Sequence, residues 1–111
     1  MALKGEKSAV PLELINRAIA IQGPIPEFLD TRAIVHLSAG ESKLAIRDLE
    51  DAVAIAPSAV KYFHLAQASL EAGDKPAAKE SLEKARTLGL VKGNLHPLEL
   101  GVYQQVVSAL D

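Results

Sequence analysis

Residues 33–52 read AIVHLSAGESKLAIRDLEDA, and residues 66–85 read AQASLEAGDKPAAKESLEKA. Laid against each other with a shift of 33 residues, 8 of the 20 positions are identical. They are Ala33/Ala66, Leu37/Leu70, Ala39/Ala72, Gly40/Gly73, Ala45/Ala78, Leu49/Leu82, Glu50/Glu83 and Ala52/Ala85. Chance would give roughly one or two matches in so Ala- and Leu-rich a composition, so the chain carries an internal repeat. Further upstream, a shift of 34 pairs Ala18, Ala20 and Ile21 with Ala52, Ala54 and Ile55, a shorter match in the same frame.

Within each unit the apolar residues keep helical spacing on both sides of a glycine. Phe28, Leu29, Ala33, Ile34 and Leu37 run to Gly40, where a left-handed glycine can close a helix. Ser42 then offers an N-cap, and Leu44, Ala45, Ile46, Leu49, Ala52, Val53 and Ile55 continue to Pro57. The second unit follows the same plan: Tyr62, Phe63, Leu65, Ala66, Ala68 and Leu70 run to Gly73. Asp74 is its cap, Pro76 sits where a first turn tolerates proline, and Ala78, Leu82, Ala85 and Leu88 run to Gly89. No stretch alternates with period two, so no strand is expected. Ala33 against Ala45, and Ala66 against Ala78, are small enough for two helices to approach closely, with Leu49 and Leu82 filling the space beside them. One helix pair cannot bury its own apolar stripe, so neighbouring pairs must stack.

These units resemble tetratricopeptide (TPR) repeats. The family pattern falls on Leu29, Arg32-Ala33, His36, Ala45, Leu49, Ala52 and Pro57, and again on Tyr62, Leu65-Ala66, Ser69, Ala78, Leu82 and Ala85. The chain departs from it with Arg32 at the usual leucine, His36 and Ser69 at the usual aromatic, and Leu90 at the usual proline. The resemblance implies an all-α fold, a right-handed superhelical array of antiparallel helix pairs. Its expected organisation is a flexible N-terminus over residues 1–10, a half repeat over 11–25, repeats over 26–58 and 59–91, and a capping helix over 97–110. The half repeat is the second helix of a unit whose first helix is missing, so the chain reads as a fragment of a longer array. Part of its face of Leu14, Ile15, Ala18 and Ile21 is then expected to lie exposed and to support self-association. In the last helix Leu100, Tyr103, Val106, Val107 and Leu110 form one face; Glu99, Gln104, Gln105, Ser108 and Asp111 form a polar one suited to a cap, or to the first helix of a further repeat.

Composition narrows the function classes. The 111 residues carry 12 Lys+Arg against 14 Asp+Glu, a formal net charge of −2. That balance argues against nucleic acid or an anionic membrane as partner. The two units differ, with three bases against six acids in 26–58 and five against four in 59–91. Cysteine is absent, which removes disulfides, thiol nucleophiles and cysteine-ligated metal. No apolar run approaches the ~20 residues of a membrane span, and no h-region follows Met1, so no signal peptide is expected in these residues. Compartment stays open, with the cytoplasm as default.

No catalytic constellation is expected. His36, His64 and His96 share no helical face, so no metal site is read from them. His36 holds a packing position, His64 is expected to face outward from its helix, and His96 precedes a proline in a loop. Ser69 with His36 reads as packing rather than as a nucleophile with its base. The run Asp48-Leu49-Glu50-Asp51 reads as a solvated face, with Arg47 beside it. Lys75, Lys79, Glu80, Glu83, Lys84 and Arg86 read as a salt-bridged outer surface. No cofactor is expected.

The TPR resemblance implies a non-enzymatic scaffold whose first helices line a concave groove holding a peptide or protein segment. By helix phase the groove presents Glu27, Asp30, Thr31, Ile34, Leu37 and Ser38 from the first unit. From the second it presents Val60, Phe63, His64, Gln67, Leu70 and Glu71. Leu37 and Leu70 also fit a core position, and so does Phe63. The Lys, Asn and Arg of the family's carboxylate clamp are missing, and Glu27 with Asp30 would repel such a ligand. These two acids beside Ile34 and Phe63 point instead to a segment with a Lys or Arg and a large apolar anchor. The alternatives are a structural or oligomerising segment, and a regulatory appendage of a larger, enzymatic parent.

Overall fold

A computed structural model describes residues 3–90, 95 and 97–110. The elements are α1 (Leu3–Gln22), α2 (Pro26–Ser38), α3 (Ser42–Ile55), α4 (Ala59–Glu71), α5 (Lys75–Thr87), a 3-10 turn (Pro97–Glu99) and α6 (Leu100–Leu110). Among the described residues there is no strand, and no helix is long and apolar enough to cross a membrane. The loop reading of His96, the polar assignment of Asp111 and the end of the second unit at Val91 lie outside the described residues.

Two equivalent glycines make the tight turns of the repeat. Gly40 has φ of 79° and Gly73 φ of 87°, the left-handed region that an L side chain rarely adopts. At the first, the Glu41 amide donates to the His36 carbonyl at 2.8 Å and the Gly40 amide to Leu37 at 3.1 Å. At the second, the Asp74 amide donates to Ser69 at 2.9 Å and the Gly73 amide to Leu70 at 3.0 Å. Each pair of bonds satisfies the orphan carbonyls of the helix end. The following helix starts at once, so its axis must fold back antiparallel. Asp74 caps α5 by accepting from the Ala77 amide at 3.1 Å. Ser42 does not cap α3; it is the first helical residue, one place past Glu41, which makes no side-chain cap bond.

The small residues of the repeat are where the helices touch. Ala33, Ala45, Ala66 and Ala78 are all fully buried, as are Leu49, Ala52 and Ala85, and Leu82 is nearly so. The pair α2/α3 packs Ala33, Leu37, Ala45 and Leu49 against Leu65 and Ala68 of α4. The pair α4/α5 packs Phe63, Ala66, Ala78 and Leu82 against Val106 and Leu110 of α6, with Leu90 and Leu95. Each pair thus passes its apolar face to the next, and burying one such leucine stabilises by about 1.5–3 kcal/mol.

One expectation, on α4, needs correction here, and α1 extends further than the repeat pattern implies. α1 begins at Leu3, so the helix of the half repeat starts upstream of Pro11. Phe63 and His64 were placed on the groove by phase, yet they are 0% and 4% exposed. The helix that carries them, α4, is packed on by α2, α3, α5 and α6, so its buried arc is much wider than one stripe. On α1, part of the unpartnered face is exposed as expected: Leu14 and Ile21 are 60% and 74% exposed, while Ile15 is buried.

Candidate functional site

On one side of the array α2, α4 and the start of α6 stand next to one another, and side chains in nearly the same repeat register form rows across them. The first row is ionic. Lys61 Nζ donates to Glu27 Oε2 at 3.1 Å; the lysine is buried and the glutamate exposed. This hydrogen bond, with the charge of Lys61, holds Glu27 below the usual carboxylate range.

One helical turn further, His64 bridges two carboxylates. Its Nδ1 lies 2.8 Å from Asp30 Oδ1 on α2, and its Nε2 lies 2.6 Å from Glu99 Oε2 on the 3-10 turn. Burial by itself pushes the imidazole down. The hydrogen bonds and negative charge of Asp30, then of Glu99, outweigh it and raise His64 above its ordinary value. With both ring nitrogens facing carboxylates, the imidazolium is the form in which both N–H groups can donate. A buried charge is tolerable here because it is paired on both sides.

The next row is mostly apolar and opens into a cleft of about 210 Å³. Ile34, Leu37 and Ser38 of α2, Gln67 of α4, and Glu99 with Val102 line it. Ile34, Gln67 and Val102 hold successive, nearly equivalent positions of the repeat. The last helix therefore stands beside α4 as α4 stands beside α2.

Of the residues that phase places in the groove, Ile34 and Gln67 line this cleft and Thr31 and Glu71 are exposed near it. Val60 is half-buried against the core of the second unit. Phe63 is removed from the set: its ring packs 5.9 Å from that of His64 and 5.8 Å from that of Tyr103. His64 does not face outward; it is buried between Asp30 and Glu99. Glu27 and Asp30 are already paired, with Lys61 and His64 respectively, although Glu27 stays exposed. Glu99, read as part of the polar face of a cap, and Val102, assigned to neither face, also line the cleft. The signal for Glu99 was the spacing of 34 and 35 residues that separates Asp30, His64 and Glu99.

A second polar cluster joins α1, α2 and α3. Arg32 Nε and Nη2 donate to the two carboxylate oxygens of Asp48, each at 2.8 Å, and Nη1 donates to Asn16 Oδ1 at 2.9 Å. Asp48 is 6% exposed, so the acidic run does not form a uniformly solvated face. Asp48 turns inward to Arg32 while Glu50 and Asp51 stay exposed. His36 Nε2 lies 3.7 Å from Asp48 Oδ2. Burial, and then the charge of Arg32, lower His36 below its ordinary value despite that carboxylate. A cleft of about 380 Å³ lies over the cluster, with Arg47 and Asp51 at its rim. Among the described residues no group of His, Asp or Glu is arranged to hold a metal ion.

No protein-family model matches the chain, and no curated protein matches it. Among solved structures it is similar to the Yersinia enterocolitica type III secretion chaperone SycD, in a crystal structure with a peptide of the translocator YopD. The TM-score is 0.75, over 98% of this chain and 81% of that one, at 18% sequence identity. At that identity the likeness establishes the fold: an all-α, TPR-like array of antiparallel helix pairs.

Proposed function

We propose that the chain is a protein-interaction scaffold, without catalytic machinery of its own, that holds a peptide or protein segment along the face of α2, α4 and α6. The observation that carries this reading is the cleft between Ile34, Gln67 and Val102, built from equivalent positions of three successive first helices. Side chains repeated in this way present a track rather than a single pocket, which suits an extended chain. The similar SycD fold holds a YopD peptide, which supports a peptide as the kind of partner.

Selection from a random 12-residue peptide library against the full chain tests the reading. Binders are expected, and Ile34→Arg should abolish their binding while the helical circular dichroism is kept. Failure to select any peptide, or selection of peptides indifferent to Ile34→Arg, would sink the proposal.

A second reading, self-association through α1, is favoured by the exposure of Leu14 and Ile21 on one face of that helix. Sedimentation equilibrium decides it. The chain should show a dimer that Ile21→Lys dissociates, and a monomer at all concentrations would end the idea.

A further inference from the structure

The cleft beside His64 has a chemistry of its own, and the inference drawn from it rests on the peptide-scaffold reading. Its walls are the aliphatic side chains of Ile34, Leu37 and Val102, and Leu37 is buried enough to form its base. Polar groups complete the lining: the hydroxyl of Ser38, the amide of Gln67 and the carboxylate of Glu99. A volume of about 210 Å³ accepts one long side chain, not a stretch of backbone with several.

Charge then selects the side chain. The imidazolium of His64 faces two carboxylates, Asp30 and Glu99, so one negative charge in this row is uncompensated. Only Oε2 of Glu99 is engaged by His64. Among the described residues lining the cleft none is a lysine or arginine. Lys61, in the ionic row, is buried and held by Glu27. An acidic guest would meet a surplus of its own sign, and a purely aliphatic one would leave the Glu99 carboxylate partly desolvated with nothing in return.

We propose that this cleft is the receptor for one basic side chain of the bound segment, a lysine or arginine. Its methylene stem lies between Ile34, Leu37 and Val102, and its charged tip pairs with Glu99. Long cationic side chains bury their stems and keep their heads at a polar rim, which is the combination of surfaces found here. Glu99 then acts on both sides: it ties the 3-10 turn to His64 and gives the guest its counter-charge.

The test uses a peptide selected as above and its analogue in which the single most sensitive Lys is replaced by norleucine, which keeps the stem and removes the charge. The full chain should bind the lysine peptide at least tenfold more tightly than the norleucine one. In Glu99→Gln, which still accepts from His64, that ratio should collapse to about twofold or less. Ser38→Lys, which adds a positive charge at an exposed part of the cleft lining, should weaken the lysine peptide more than the norleucine one. Equal affinity of the two peptides in the unmodified chain overturns the basic-side-chain receptor. If Ile34→Arg still abolishes binding in that case, the groove stands and only its specificity falls. If binding survives Ile34→Arg, the groove reading itself has failed.

Discussion

Two histidine clusters in this chain meet carboxylates and come out with opposite charge preferences. His64 lies between Asp30 and Glu99, is almost wholly buried, and is raised above its ordinary value. His36 lies 3.7 Å from Asp48, is less buried, and is lowered. Burial alone would order them the other way. The deciding difference is hydrogen bonding. His64 is bonded to two carboxylates that outweigh its burial. His36 is 3.7 Å from just one, so burial pushes it down, and the positive charge of Arg32, bidentate on Asp48, adds to that. A carboxylate already matched to a guanidinium has little left for a neighbouring imidazole. Function follows the same division. The Arg32–Asp48 cluster is closed on itself and joins three helices, whereas the His64 row keeps a surplus negative charge at an open cleft.

The strongest way to break the His64 side is to remove the ring that packs beside it. Phe63→Ala should cost about 3–5 kcal/mol in urea denaturation, because a fully buried ring contacting His64 and Tyr103 leaves a cavity behind. A loss below about 1 kcal/mol would mean that Phe63 does not hold the α4–α6 joint. On the other side, Asp48→Ala strips Arg32 of its partner. Removing one member of a buried pair costs about 3–5 kcal/mol, and the partial exposure of Arg32 reduces the expected loss to about 2–3 kcal/mol. The double change Arg32→Leu with Asp48→Leu should recover to within about 1 kcal/mol of the unmodified chain, since apolar residues of similar volume often replace a buried ion pair without loss. A double variant no better than Asp48→Ala would show that the cluster does more than fill space.

The same two regions show what the sequence discloses and what it withholds. The helix pairs were legible because Ala33, Ala45, Ala66 and Ala78 with their leucines recur at a fixed period, and every one of the four alanines is fully buried. The Arg32 cluster was half legible. Two of its members, Arg32 and His36, are the places where the first unit departs from the family pattern, which has a leucine and an aromatic there. What could not be read was that both departures converge on Asp48, because Asp48 sits in an acidic run that looks solvated. The His64 row was illegible by helix phase for a different reason. Phase assumes one buried stripe, and α4 is covered by four other elements. Positions 61 and 64 therefore carry charged side chains inward, with partners one repeat away at Glu27 and Asp30.

The smallest effect is the one that separates the two histidines most directly. For His64 the folded value lies above the unfolded value of about 6.5. The folded state then holds the proton more tightly, so the stability it contributes is complete below about pH 6.5 and is lost as pH rises through the folded value. For His36 the folded value lies below. The unfolded chain then binds the proton more tightly, so its contribution is complete above about pH 6.5 and is lost as pH falls toward the folded value. The urea midpoint should therefore fall away on both sides of a neutral maximum, one histidine responsible for each side. His64→Gln should flatten the alkaline limb and leave the acid limb, whereas His36→Gln should do the reverse. The window between about pH 5 and 9 is suited to this measurement because histidine is the side chain whose ordinary value falls inside it. Glu27, lowered by Lys61, adds its own loss only near and below the ordinary carboxylate value of 4.5, beneath that window. A His64→Gln variant that keeps the full alkaline loss would place the proton elsewhere than between Asp30 and Glu99, and the contrast between the two clusters would fall with it.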